Sequence, residues 1–176
     1  MEENRELTVY QIEHVRIWTE KPFAEVVRSF EAATGVFDLQ QIQHRAAGGA
    51  SAAAVTDAID AMAGASGFMR FAAWNHGAIL RLTGQGSCDA VRFAIGNPLM
   101  AARMTKHRMG SGLYAPLSLL VTGSERGGAF IEYDRPSTVF PQFDDPDIIR
   151  TARELDRKLD VLIQSITVPQ GMSARS

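Results

Sequence analysis

A stretch near the C-terminus limits the fold before anything else does. After Asp144-Asp145-Pro146, apolar side chains recur as Ile148, Ile149, Ala152, Leu155, Leu159, Leu162, Ile163 and Ile166. This is helical spacing, and it produces one wide apolar face running over several turns. Pro146 suits the first turn, and the acidic residues beside it suit the positive end of the helix dipole. Such a face needs a large apolar surface to lie on. A chain of 176 residues can bury roughly 70% of the surface its unfolded form exposes, so that surface is expected within one domain, without a disulfide or metal.

The covering surface is a sheet. The run 113–137, "LYAPLSLLVTGSERGGAFIEYDRPS", reads as a hairpin turning at Ser124 to Gly128. Residues 67–84, "GFMRFAAWNHGAILRLTG", read as a second hairpin: a strand from Phe68 to Trp74, a loop at Asn75-His76-Gly77, and a return over Ala78 to Thr83. A further strand over Ala90 to Ile95 runs into Gly96-Asn97-Pro98. There Asn97 is placed to cap a short helix and Pro98 to open it. "LTVYQIEHVRI" (7–17) is rich in β-branched and aromatic residues and predicts an N-terminal strand. Pro22 starts a helix carrying Phe23, Val26, Val27 and Phe30, which Gly35 stops.

Residues 36–47 are ambiguous. The Ala/Gly-rich segment 46–66 reads as a modest helix capped by Ser51 or Thr56, with Val55, Ile59 and Met62 as a thin apolar stripe. The order of elements lacks regular βα alternation. It predicts an α+β fold: an antiparallel or mixed sheet of about five to six strands covered by helices. Residues 1–166 read as the domain and 167–176 as a disordered tail.

Composition narrows the function classes. The formal charge of −2 argues against a nucleic-acid partner. No segment approaches the 18 or more apolar residues of a membrane span. The start Met-Glu-Glu-Asn-Arg-Glu lacks the basic and apolar regions of a signal peptide, so a cytoplasmic location is expected. Cys88 is the single cysteine, which rules out an internal disulfide. Together with His14, His44, His76 and His107 it has no metal-ligand spacing, so neither a metal nor another cofactor is expected. No G-x-S-x-G or P-loop pattern is present either.

Five stretches, "NHG" (75–77), "GNP" (96–98), "LYAPL" (113–117), "YDRPS" (133–137) and "FDDP" (143–146), occur in an order and spacing that resembles the DUF302 family. The resemblance runs from "PFAEVVRSFEAATG" (22–35) to the final helix. It implies an α+β fold of the type known as TT1751-like and a homodimer. It implies no reaction, since the family carries no general function. The family usually has an Asp-His pair where this chain has Asn75-His76, which removes a carboxylate from beside the imidazole.

The motif stretches supply the candidate site. His76 offers an acid or base near neutral pH. Asn97 and the helix it caps form a corner for an anion or polar ligand, with Arg103, Lys106, His107 and Arg108 downstream. Tyr114, Tyr133, Asp134 and Arg135 could orient a substrate, Arg135 by gripping a carboxylate or phosphate. Met69, Met100, Met104 and Met109 could line an adaptable pocket or fill the core. The leading expectation is a homodimeric domain that binds a small organic molecule, anionic ones included, in a cavity between sheet and helices through His76, Asn97, Tyr114, Tyr133, Asp134 and Arg135. A metal-independent enzyme, with His76 as acid or base and Asp134 or Tyr133 as its partner, is the alternative. A structural or interaction role worked through the dimer face is the third.

Overall fold

The computed structural model describes residues 7–168. In chain order the elements are β1 (His14–Thr19), α1 (Phe23–Ala33), β2 (Gly35–Val36), α2 (Leu39–Ala47), α3 (Ala52–Asp60), β3 (Met69–Asn75), α4 (His76–Leu82), β4 (Ala90–Gly96), α5 (Pro98–Thr105), a 3-10 turn (Met109–Tyr114), β5 (Leu117–Gly123), β6 (Ala129–Asp134), α6 (Pro136–Val139), a second 3-10 turn (Phe140–Phe143) and α7 (Pro146–Thr167). The strands form one mixed sheet in the order β1-β6-β5-β4-β3-β2. Every pairing is antiparallel except the short parallel contact of β2 with β3. The α+β class read from the sequence is the observed one. The last notional tail residues, 169–176, lie outside the described residues, while Thr167 closes α7.

Strand alternation decides the layers. Phe93, Ile95, Leu119, Val121, Ile131 and Tyr133 point to one face and are buried against Val26 and Phe30 of α1, Met100 and Met104 of α5, and α7. On α7 the buried stripe includes Ile148, Ala152, Leu155, Leu159, Leu162, Ile163 and Ile166, as its spacing predicts. Each such Leu or Ile contributes about 1.5–3 kcal/mol before the entropy of ordering is subtracted. Asp145 caps this helix, its Oδ1 accepting from the backbone N–H of Asp147 at 2.9 Å and of Ile148 at 3.1 Å. Those donations, the Ile148 one first, hold the Asp145 carboxyl below its ordinary value.

Two expectations are corrected. The N-terminal strand begins at His14, seven residues later than the composition of 7–17 suggests, and continues to Thr19. Its partner β6 ends at Asp134, and the Arg135 N–H reaches back to the Glu13 carbonyl at 2.9 Å. Residues further upstream have no strand beside them, so β-prone composition alone cannot make one.

The second correction is larger. Residues 67–84 are not a hairpin. β3 pairs with β4, and Asn75-His76-Gly77 starts helix α4 instead of turning a loop. The Asn75 side chain accepts from the Ala78 N–H at 2.8 Å and caps the helix. Gly77 is required for space: a Cβ there would sit 2.5 Å from the Cys88 carbonyl and 2.8 Å from the Ala90 nitrogen. The Ala-Ile-Leu-Arg-Leu sequence that follows then propagates as helix. The ambiguous stretch 36–47 contains α2, capped by Asp38, and Ser51 rather than Thr56 caps α3.

Candidate functional site

The candidate residues divide between the two faces of the sheet. On the helix side, β4 delivers Gly96-Asn97-Pro98 to the N-terminus of α5. Asn97 Oδ1 accepts from the Leu99 N–H at 2.9 Å and the Met100 N–H at 3.3 Å, while its Nδ2 donates to the Gly67 carbonyl at 3.2 Å. Both acceptor positions and one of the two N–H donors of the side chain are therefore used in making the joint. Arg103 is held by Glu154 at 2.8 Å, and the His107 ring lies between Asp145 and Asp147. The expected anion corner is occupied by the protein's own groups.

Beside this joint lies a cavity of about 290 Å³. Gly96, Asn97 and Pro98 form one wall, and Ala115, Pro116 and Leu117 another, with a cis peptide between Ala115 and Pro116. Phe71, Met100, Met104, Phe140 and Leu155 complete the lining, which contains no charged side chain. Two of the five motif stretches, "GNP" and "LYAPL", thus meet at one apolar hollow. Of the four methionines, Met100 and Met104 line it, Met69 is core, and Met109 is exposed. Tyr114 stands next to it without lining it. Its ring packs edge-on against Phe140 and Phe143, with centroids 6.3 and 6.0 Å away.

His76 and Asp134 face the other way. Both line an open concavity of about 400 Å³ on the uncovered side of the sheet, with Cys88, Arg92, Ser118 and Glu132. The imidazole bonded to Asp134, however, is that of His14. Its Nδ1 lies 2.9 Å from Asp134 Oδ1 and its Nε2 lies 3.2 Å from Glu132 Oε2. Asp134 first, and then Glu132, raise the His14 pKa above the ordinary 6.5. Arg92 lies over the Trp74 ring, 4.8 Å from its centroid, and donates to Ser118 Oγ through Nε and Nη2.

Tyr133 also borders the open concavity, and Arg135 joins neither group. The Tyr133 ring points into the core, where burial, followed by the charge of Asp160, raises its pKa. Arg135 donates to Glu13 at 2.7 Å. One cluster among the described residues has metal-ligating types, His107 with Asp145 and Asp147. The two carboxylates approach different ring nitrogens, at 3.6 and 3.5 Å, and Asp147 also pairs with Arg150. That arrangement ties the end of α5 to the start of α7.

His14, Glu132, Trp74 and Arg92 were not candidates in the sequence. Only the strand register brings them together, and the period-2 pattern of β4 and β6 was the available signal.

A mixed sheet backed by helices, with an apolar hollow where β4 meets α5, defines the α+β class. Residues 42–166 match the family model described as "Domain of unknown function DUF302", and the chain belongs to that family. The structure is similar to the crystal structure of an uncharacterized conserved DUF302 protein from Bacillus stearothermophilus. The TM-score is 0.63 and the identity 18%, and the likeness covers 87% of this chain and 97% of that one. No curated protein matches the chain. No helix among the described residues is long and apolar enough to cross a membrane.

Proposed function

We propose that the protein binds a small, neutral and largely apolar organic molecule in the cavity between the sheet and α5. The observation that carries this reading is the convergence of Gly96-Asn97-Pro98 and Ala115-Pro116-Leu117 on one hollow walled by Met100, Met104, Phe140 and Leu155. Small-molecule sites are concave and mostly apolar, with a few polar atoms to orient the ligand. At about 290 Å³ the hollow suits a ligand of one or two rings. Thioethers adapt to irregular shapes, and two of them line this wall. The uncharged lining favours a neutral ligand over the anionic kind that the sequence also allowed. An acid–base centre on His76 and Asp134 is the weaker reading, because His14 already holds the Asp134 carboxylate.

Ala101 also lines the cavity, so Ala101→Phe should fill it without removing a core side chain. Native mass spectrometry of freshly purified protein tests for a bound adduct that denaturation removes. Thermal denaturation with 2-naphthol as probe tests the site itself. The wild type should gain Tm with probe concentration and the Ala101→Phe variant should not. Equal shifts in both proteins would take the cavity out of the reading.

A further inference from the structure

The cavity beside α5 has a polar side chain at each end of its helical wall. Asn97, Met100, Ala101, Met104 and Thr105 recur at helical spacing and all line the hollow, so one stripe of the helix faces it. The three central side chains are apolar, and only the outer two can hydrogen-bond. Asn97 caps α5 through Oδ1 and gives one Nδ2 hydrogen to the Gly67 carbonyl. Its second N–H is left over for an acceptor.

Thr105 departs from a habit of this chain. Thr34, Thr56, Thr83, Thr151 and Thr167, on helices or their caps, each donate to the carbonyl four residues back at 2.7 to 2.9 Å. The Thr105 hydroxyl has no hydrogen-bond partner among the described residues. Its methyl is turned to the neighbouring 3-10 turn, where Cγ2 would lie 3.4 Å from a Cβ on Gly112. A half-buried hydroxyl without an internal partner is free to donate to, or accept from, whatever enters the hollow.

The spacing of the two groups adds a shape. From Asn97 to Thr105 the helix rises about 12 Å. Spread over that length, the 290 Å³ of the cavity leaves a cross-section of about 24 Å², which suits a plane of fused rings and excludes a globular ligand. We infer, resting on the reading that this cavity is the binding site, that its ligand is a flat, neutral aromatic compound with an oxygen function at each end. Asn97 donates to one oxygen, Thr105 meets the other, and the thioethers of Met100 and Met104 lie along the rings between them.

Calorimetric titration of the full chain with naphthalene, 2-naphthol and 2,6-dihydroxynaphthalene tests this. Kd should fall about three- to tenfold with each hydroxyl added, the effect of one neutral hydrogen bond. Thr105→Val removes no internal bond and should leave the fold and naphthalene binding unchanged. In it the diol should bind no tighter than 2-naphthol. The Asn97 end is read with 2-acetylnaphthalene, whose carbonyl only accepts. In Thr105→Val this ketone should still bind about three- to tenfold tighter than naphthalene. Adding Asn97→Asp keeps the capping oxygen but removes the N–H, and should abolish that margin, with circular dichroism confirming the fold. Equal affinity of the wild type for the first three probes, a diol preference that survives Thr105→Val, or a ketone margin that survives Asn97→Asp would each overturn this inference and leave the cavity reading standing. Failure of the wild type to bind any probe, or equal binding by Ala101→Phe, would remove the cavity reading and this inference with it.

Discussion

The two faces of this sheet are built from the same strands and differ only in which alternate residues they receive. On the helix side β4, β5 and β6 contribute Phe93, Ile95, Leu119, Val121 and Ile131, all essentially inaccessible to water. On the open side the intervening residues are Arg92, Ser118, Leu120, Glu132 and Asp134, knitted by ion pairs and stacked cations. The first face gains stability from burial, and burial leaves it insensitive to salt and pH. The second gains little while it stays wet, since exposed ion pairs contribute about 0–1 kcal/mol each. Its order is better suited to recognition than to holding the fold together. A period of two thus concentrates the burial that holds the fold on one side of the sheet.

Truncating one aromatic on each side tests that division with the largest expected effect. Phe140 is fully buried among Tyr114 and Phe143 and walls the cavity, whereas Trp18 is half exposed. Phe140→Ala should cost about 3–5 kcal/mol in urea denaturation. Trp18→Ala should stay within about 0.5 kcal/mol. Comparable losses would mean that the open face stabilises the monomer and that the division is false.

A smaller effect is expected where α4 rises beside the open face. The Gly77→Ala methyl would meet the Cys88 carbonyl at 2.5 Å, so α4 must move away from β4. Overpacking of this kind costs about 1–3 kcal/mol. Because His76 and Leu80 of α4 border the open concavity, the variant should also perturb the Trp74 fluorescence while leaving 2-naphthol stabilisation intact. Loss of the naphthol response would show that the two sides are coupled.

These positions also mark what the sequence disclosed. The period of α7, the hairpin of β5 and β6, and the Asn97-Pro98 joint were all legible, because each is set by contacts within a few residues. Asn75-His76-Gly77 was misread for the opposite reason. Asn, His and Gly in a row satisfy turn chemistry locally, and the need for glycine at 77 comes from Cys88 to Ala90, more than ten residues on. The site was harder still. Asp134 has its own imidazole partner, but that partner is 120 residues away, brought in by the His14–Asp134 register. The cavity was half visible in its motif stretches, while Phe140 and Leu155 arrive from a turn and a helix folded over later.

Helix caps sharpen the comparison at the next level down. Asn97 caps α5 with two accepted bonds and donates a third to Gly67, all partly buried. Asn75 caps α4 with one exposed bond. Asn97→Ala should therefore cost about 2 kcal/mol and Asn75→Ala about 1 kcal/mol or less by thermal denaturation. Asn75→Asp keeps the acceptor and adds a negative charge at the helix N-terminus, which should return a few tenths of a kcal/mol at low salt. An equal cost at both caps would count against the burial argument.

The smallest effect is a pH dependence confined to the open face. The carboxylates of Asp134 and Glu132 raise the His14 pKa above 6.5 in the folded chain. A group whose folded pKa is raised binds its proton more tightly when folded than when unfolded. Its contribution to stability is complete below the unfolded value and is lost as pH climbs through the folded one. The urea midpoint should therefore drift down as pH rises above 6.5, and His14→Gln should remove that drift. Asp145, whose folded pKa is lowered by the Ile148 and Asp147 N–H groups, acts with the opposite sign. Its contribution is present above 3.8 and lost as pH falls through the depressed value, so His14→Gln should leave the acid limb unchanged. A neutral-pH drift that survives His14→Gln would place the titrating group elsewhere.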